Sequence, residues 1–208
     1  MSSIDFAHVL GAARGYADLA RAAAAQIDPA NQRAHHGLGW IATSVAALEA
    51  VADWLERNGG GTELDRKVAF LGFAETLAQL TGGLPMGQNE LLRPGDLGLG
   101  QTARDLAHAC RDLVEGDHAA IRAEVAAMLA AGEWPSEGLG DSDLDTIRDQ
   151  FRRFTDAEIL PHAHKWHLAN DLIPDATVAA MADLGTFGAT IPEEFGGLGL
   201  SKLVMCLV

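Results

Sequence analysis

The side chains with the most chemical potential gather in "HAHKWH", which places His162, His164 and His167 within six positions. Imidazole can ligate a metal or carry a proton near neutral pH. Two histidines two apart suit a strand-borne metal site, whereas ligands on a helix stand three or four apart. His164 and His167 meet the helical spacing, but no nearby cysteine or carboxylate pattern completes a shell. A solvated helix end accounts for these histidines better than a metal does. His35-His36 reads similarly, as a capping or surface pair at a helix start. Glu193-Glu194 could supply an acid and a base, yet adjacent residues do not face each other on a helix. After Pro192 they read as capping or solvated carboxylates. The glycine phrases "HHGLG", "GDLGLG" and "GGLGLS" lack the lysine of a phosphate loop and a strand before them. Cys110 and Cys206 form no CxxC motif and read as reduced packing thiols. On residue chemistry alone, no catalytic, cofactor-binding or metal-binding constellation emerges.

The elements that would have to position such groups are helical. Phe6, Val9, Ala13, Tyr16, Ala20, Ala23 and Ile27 alternate steps of three and four, the spacing of one helix face. Asp28-Pro29 stops that helix. "GWIATSVAALEAVADWLERN" makes a second, with Ile41, Val45, Leu48 and Leu55 on one side and a glycine run, Gly59 to Gly61, at its end. Thr62 with Asp65 has the spacing of a capping box. Beyond it Val68, Phe70, Leu71, Phe73, Leu77 and Leu80 make a third helix apolar on several sides, as at the centre of a bundle. "TGGLPMGQNELLRPGDLGLG" reads as a loop. Helices over 102–114 and 118–131 follow, the latter striped by Ile121, Val125, Met128 and Leu129. The spacing thus predicts a helical bundle over 1–131.

"AGEWPSEGLGDSD" (131–143) has linker composition, and the linker is placed at 132–141. Ser142 with Asp145 should cap a helix carrying Leu144, Ile147, Phe151 and Phe154. Pro174 pre-sets another, striped by Val178, Met181 and Leu184. Ser201 should cap a last one, beginning "KLVMCLV". No stretch shows strand alternation, and the fold class is all-α.

The chain has 208 residues and a formal net charge of −14. Residues 1–140 carry 10 bases against 18 acids, and 141–208 carry 5 against 11. Neither part offers the basic surface that nucleic acid or an anionic membrane demands. The N-terminus lacks the basic and long apolar regions of a signal peptide, and no uninterrupted apolar run approaches the ~20 residues of a membrane span. A soluble, cytoplasmic protein is expected.

From Ser142 to Val208 the sequence resembles the start of an acyl-CoA dehydrogenase. The likeness rests on Pro161, Ala163 and Trp166 in "EILPHAHKWH", on Pro174 opening a helix that ends in Leu184-Gly185, and on "IPEEFGGLG" from Ile191 to Gly199, with Ser201 at the next helix start. The residues before it, with "GGLPMGQNELLRPGDLGLG", are similar to the helical extension of the methylsuccinyl-CoA dehydrogenase subfamily. The resemblance implies FAD as cofactor, an acyl-CoA substrate, an electron-transfer flavoprotein as electron acceptor and a homo-oligomer. The implied reaction oxidises methylsuccinyl-CoA to mesaconyl-CoA: a glutamate takes the α-proton and the β-hydrogen leaves as hydride to flavin. It also implies that the flavin site lies mainly, and that glutamate wholly, in domains that follow Val208. No catalytic or cofactor-binding residue is therefore assigned within 1–208, and Glu193 and Glu194 are not the base. On this reading 142–208 is a partial family domain, the chain a truncated fragment inactive by itself, and its apolar tail partly unburied. The competing expectation is a non-enzymatic helical scaffold or interaction module.

Overall fold

Asp5, Asn31 and Thr62 each turn a side-chain oxygen onto an amide three residues ahead, His8, Ala34 and Asp65 respectively. Each satisfies a donor that the helix itself leaves orphaned. These caps open α1 (Phe6–Ala24), α2 (Gln32–Arg57) and α3 (Glu63–Gly82) of the computed structural model, which describes residues 5–208. The Thr62–Asp65 capping box is reciprocal, as the spacing predicts. The chain divides into two compact units, Met1–Glu137 and Gly138–Val208.

In the first unit α3 is central. It packs against α2, α4 (Gly100–Ala109), α5 (Arg111–Val114) and α6 (His118–Ala130), which explains its apolar residues on several sides. Phe73 and Leu77 are fully buried, and the Phe6 ring meets Phe73 at 4.8 Å. α1 buries Val9, Ala13, Tyr16 and Ala20, and the Tyr16 hydroxyl donates to the Leu80 carbonyl at 3.1 Å. α2 buries Ile41, Val45, Leu48 and Leu55. An 18-residue window within its 26 residues reaches a mean hydropathy of 1.3, apolar enough by length and composition to cross a bilayer, although Glu49 and Asp53 break the helix's apolar run as the sequence reading has it. It packs instead along α1 and α3, a core helix of the bundle.

Other differences are local. α2 begins at Gln32 with Asn31 as its cap, so His35 and His36 lie in its first turns and do not cap it, while the surface half of their reading holds for the exposed His36. The segment read as a loop folds into a short antiparallel ribbon, β1 (Leu84–Gly87) with β2 (Glu90–Leu92), pairing Leu84 with Leu92. Its alternation, with Leu84 and Met86 buried and Pro85 and Gly87 exposed, covers four residues and includes a proline and a glycine. That is too short and too weak in strand propensity to register as a strand. The ribbon explains a glycine: a Cβ on Gly37 would come 2.6 Å from the Leu92 methyls. The helix read over 102–114 is interrupted at Cys110. α6 has no fully buried residue, and its Ile121 is only partly buried against the core.

In the second unit, α7 (Ser142–Phe154) is capped by Asp141, which accepts from Asp143 and Leu144, so Ser142 is its first residue and not its cap. α7 passes through a π turn, Thr155–Ile159, into α8 (Leu160–Ala169). Pro161 has no N–H to give and its ring crowds the carbonyl four residues back. The backbone relieves this by widening: the Leu160 N–H reaches Thr155 O, five residues back. Pro174 caps α9 (Asp175–Asp183) from just outside it, and α10 (Lys202–Leu207) begins after Ser201, whose hydroxyl accepts from Val204 N–H as predicted. The fold is mostly helical, as the sequence implies. Neither α7 nor α9 buries a residue fully: Leu144, Ile147, Phe151 and Phe154 of α7 are half-buried, while Val178 of α9 is exposed.

Candidate functional site

The best-built feature of the second unit is the turn between α9 and α10. Gly185, in the left-handed conformation at φ 78°, stops α9 and donates to the Ala182 carbonyl at 2.8 Å. Pro192 then starts a single 3-10 turn, Glu193–Phe195, and Gly196 (φ 81°) ends it. The chain doubles back so closely that a Cβ on Gly197 would lie 2.1 Å from the Ile191 carbonyl oxygen. Three amides staple the return: Leu198 to Gly188 O (2.9 Å), Gly199 to Ile191 O (2.8 Å) and Leu200 to Ala189 O (2.8 Å). The phrase "IPEEFGGLG" is thus a closed backbone loop in which each half of the Gly-Gly pair has its own steric reason. The buried Thr186 hydroxyl beside it has no hydrogen-bond partner among the described residues.

Around this turn the second unit displays apolar side chains. Among its described residues only Ala189 and Val204 are fully buried hydrophobics, while Leu172 is 91% and Phe195 76% exposed. Ile173, Phe187, Leu198, Leu203 and Met205 are also open. A surface of this kind is made to be covered. α10 packs on α7 through Val204, and its other apolar residues leave the tail partly unburied, as expected.

The candidate residues fall into separate places. His162, His164 and His167 are exposed on α8, and the His162 ring lies 5.5 Å from that of Trp166. Among the described residues no three His, Cys, Asp or Glu side chains converge to hold a metal. His36 accepts from the Trp40 indole at 3.0 Å, and His35 approaches the Asp28 carbonyl at 3.3 Å. Glu193 and Glu194 sit exposed in the 3-10 turn. Cys110 is buried, and burial pushes its thiol up to about 11. Cys206 is exposed, so the packing role read for both cysteines holds for Cys110 alone.

One polar centre went unread. Asp65, recognised from spacing only as a cap, is fully buried and also binds Ser136 through Oδ1 (2.7 Å) and Oδ2 (2.6 Å). The partner stands 71 positions away, beyond the reach of any local pattern.

Residues 141–208 match the family described as acyl-CoA dehydrogenase, N-terminal domain. Among characterised proteins, the chain is 43% identical over 188 residues to (2S)-methylsuccinyl-CoA dehydrogenase of Cereibacter sphaeroides, covering 85% of this chain and 33% of that protein. It is also 41% identical over 61 residues to benzylmalonyl-CoA dehydrogenase of Aromatoleum aromaticum (29% and 16% of the two chains). Glutaryl-CoA dehydrogenase of Desulfococcus multivorans is 35% identical over 60 residues (29% and 15%). The chain therefore spans about a third of the length of the first relative and less of the others.

The family is FAD-dependent, but the described residues include no flavin-binding domain. The second unit's apolar residues face outward, with too few buried to enclose an isoalloxazine ring, so its residues do not by themselves fit the cofactor.

Proposed function

We propose that this chain is the N-terminal part of a flavin-dependent acyl-CoA dehydrogenase that oxidises (2S)-methylsuccinyl-CoA to mesaconyl-CoA. What supports the substrate is the reach of one alignment. The family match covers 141–208, whereas the resemblance to methylsuccinyl-CoA dehydrogenase takes in 85% of the chain and so includes most of the helical extension. The other relatives match over only 60 to 70 residues.

Within that reading the chain contributes packing. The open apolar residues around the 185–200 turn supply a wall that keeps water from a reacting thioester once they are covered. No proton transfer is assigned to them. Glu193 and Glu194 lie exposed in the 3-10 turn. The dehydrogenation, with FAD taking the hydride and an electron-transfer flavoprotein accepting the electrons, belongs to the whole homo-oligomeric, cytoplasmic protein. The 208-residue chain alone is inactive.

The test compares the 208-residue chain with the full product of its reading frame, each supplied with FAD and a dye acceptor. The full product should reduce dye with methylsuccinyl-CoA in preference to glutaryl-, isovaleryl- or benzylmalonyl-CoA, and the shorter chain should not turn over. Preference for another of these thioesters overturns the substrate. A full product without dehydrogenase activity leaves the scaffold reading standing instead.

A further inference from the structure

Asp65 is a fully buried carboxylate for which the proposed chemistry has no use. Its two oxygens accept three hydrogen bonds. Oδ2 accepts from the Thr62 N–H (2.8 Å) and the Ser136 hydroxyl (2.6 Å), and Oδ1 accepts from the Ser136 N–H (2.7 Å). The Ser136 carbonyl in turn accepts from the Trp54 indole at 3.0 Å. A single residue of the segment after α6 thus commits its amide, hydroxyl and carbonyl to α2 and α3. The opposite side is closed as well: a Cβ on Gly61 would come 2.9 Å from the Asp65 Cβ and 2.8 Å from a Leu55 methyl.

Desolvation works against the Asp65 charge, but the hydrogen bonds from Ser136 and Thr62 outweigh it and hold the carboxyl below its usual range. Neighbouring charges are engaged elsewhere. Arg66 reaches the Gly61 carbonyl at 2.6 Å, and Lys67 bridges Glu63 (2.8 Å) and Glu124 (2.9 Å). The lock is therefore made of dipoles donated to one carboxylate, in a site where removing the acceptor strands several donors at once.

We infer that Asp65 fastens residues 131–137 onto the helical unit as a strap, so that the connector into the acyl-CoA dehydrogenase domain starts at Gly138 and not at the end of α6. Composition alone makes a linker of 132–141. The lock shortens its loose part to Gly138-Leu139-Gly140, after which Asp141 caps α7. Without it, a glycine- and proline-bearing segment of linker composition would be free to move.

Hydrogen exchange on the whole 208-residue chain at neutral pH tests this. In the wild type, the Ser136 amide should exchange at least about tenfold more slowly than those of 138–140, as expected for a group tied to a buried charge. Ser136→Ala removes the hydroxyl bond and leaves the Thr62 cap intact. It should speed strap exchange by about tenfold with α1 and α3 unchanged. Asp65→Ala should bring the strap to the connector's rate and open it to proteases. Should Asp65→Ala also melt the bundle, Ser136→Ala decides. A wild-type strap exchanging as fast as 138–140 overturns the inference. So does a Ser136→Ala variant with unchanged strap exchange, or one that loses protection throughout the bundle.

Discussion

Gly197→Ala is the sharpest probe of the turn that defines the second unit. The new Cβ would stand 2.1 Å from Ile191 O, 2.4 Å from Ile191 Cβ and 2.6 Å from its carbonyl carbon. Carbon atoms in contact settle at about 3.5–4.0 Å, so the two backbone strands must part by more than an ångström. Two of the obstructing atoms are backbone, and no rotamer change relieves them. The parting stretches the Gly199–Ile191 and Gly197–Pro192 bonds, now 2.8 and 3.2 Å. Two backbone hydrogen bonds at about 1 kcal/mol each, with overpacking of about 1–3 kcal/mol, put the local cost at about 3–5 kcal/mol. Hydrogen exchange at the Leu198, Gly199 and Leu200 amides reads it directly, and protection there should fall by at least a hundredfold. Gly188→Ala is the control, because a Cβ there meets only the Gly197 Cα at an ordinary 3.8 Å. Gly197→Ala with protection within twofold of wild type would refute the close-approach argument.

Other outcomes can be checked on the same chain. Tyr16 is the single tyrosine, so phenolate absorbance reports it alone, and burial pushes it up to about 12. Because that value is raised, its contribution is intact below the unfolded value near 10 and is lost as pH climbs through about 12. Alkaline unfolding should begin in that window and be shallower in Tyr16→Phe; an identical pH profile for the variant would contradict this. Gly11 and Gly15 lie inside α1 with open space where a side chain would go. Each should gain about 0.5–1 kcal/mol on replacement by alanine, read by urea denaturation, and destabilisation would count against the assigned helix. A thiol reagent should label Cys206 in the native chain and reach Cys110 only on unfolding; fast double labelling would refute the buried placement.

How far the sequence foretold these features depends on the range of the interactions behind them. The stripes of α1 and α2 and the Thr62–Asp65 box were legible because their partners lie within a few residues. α3 could be placed at the centre because Val68 and Leu71 stand off the stripe of Phe70, Phe73 and Leu77 and leave it no broad polar face. Ser142 was mistaken for a cap because Asp141, one residue earlier, offers the same kind of oxygen and periodicity cannot choose between them. The ribbon at 84–92 depends on packing over Gly37, a contact between distant positions. Ser136 on Asp65 is of the same long-range kind. In the second unit the hydrophobic spacing of α7 and α9 correctly marks helices, but spacing says nothing of whether a partner is present to cover them. The turn phrase pointed to a family through its residues, and only the backbone geometry explains why those residues are glycines.

The π turn ahead of Pro161 has a consequence for phase. A helix advances about 100° per residue, and one turn here holds an extra residue, so every side chain of α8 is rotated by about that angle relative to an unbroken continuation of α7. A single helical wheel drawn through 142–169 would put Trp166 and His162 on the wrong side. Deleting one residue between Thr155 and Ile159 would restore the ideal count and turn α8 by a quarter circle, leaving its composition otherwise untouched while presenting a different set of side chains to whatever meets that helix.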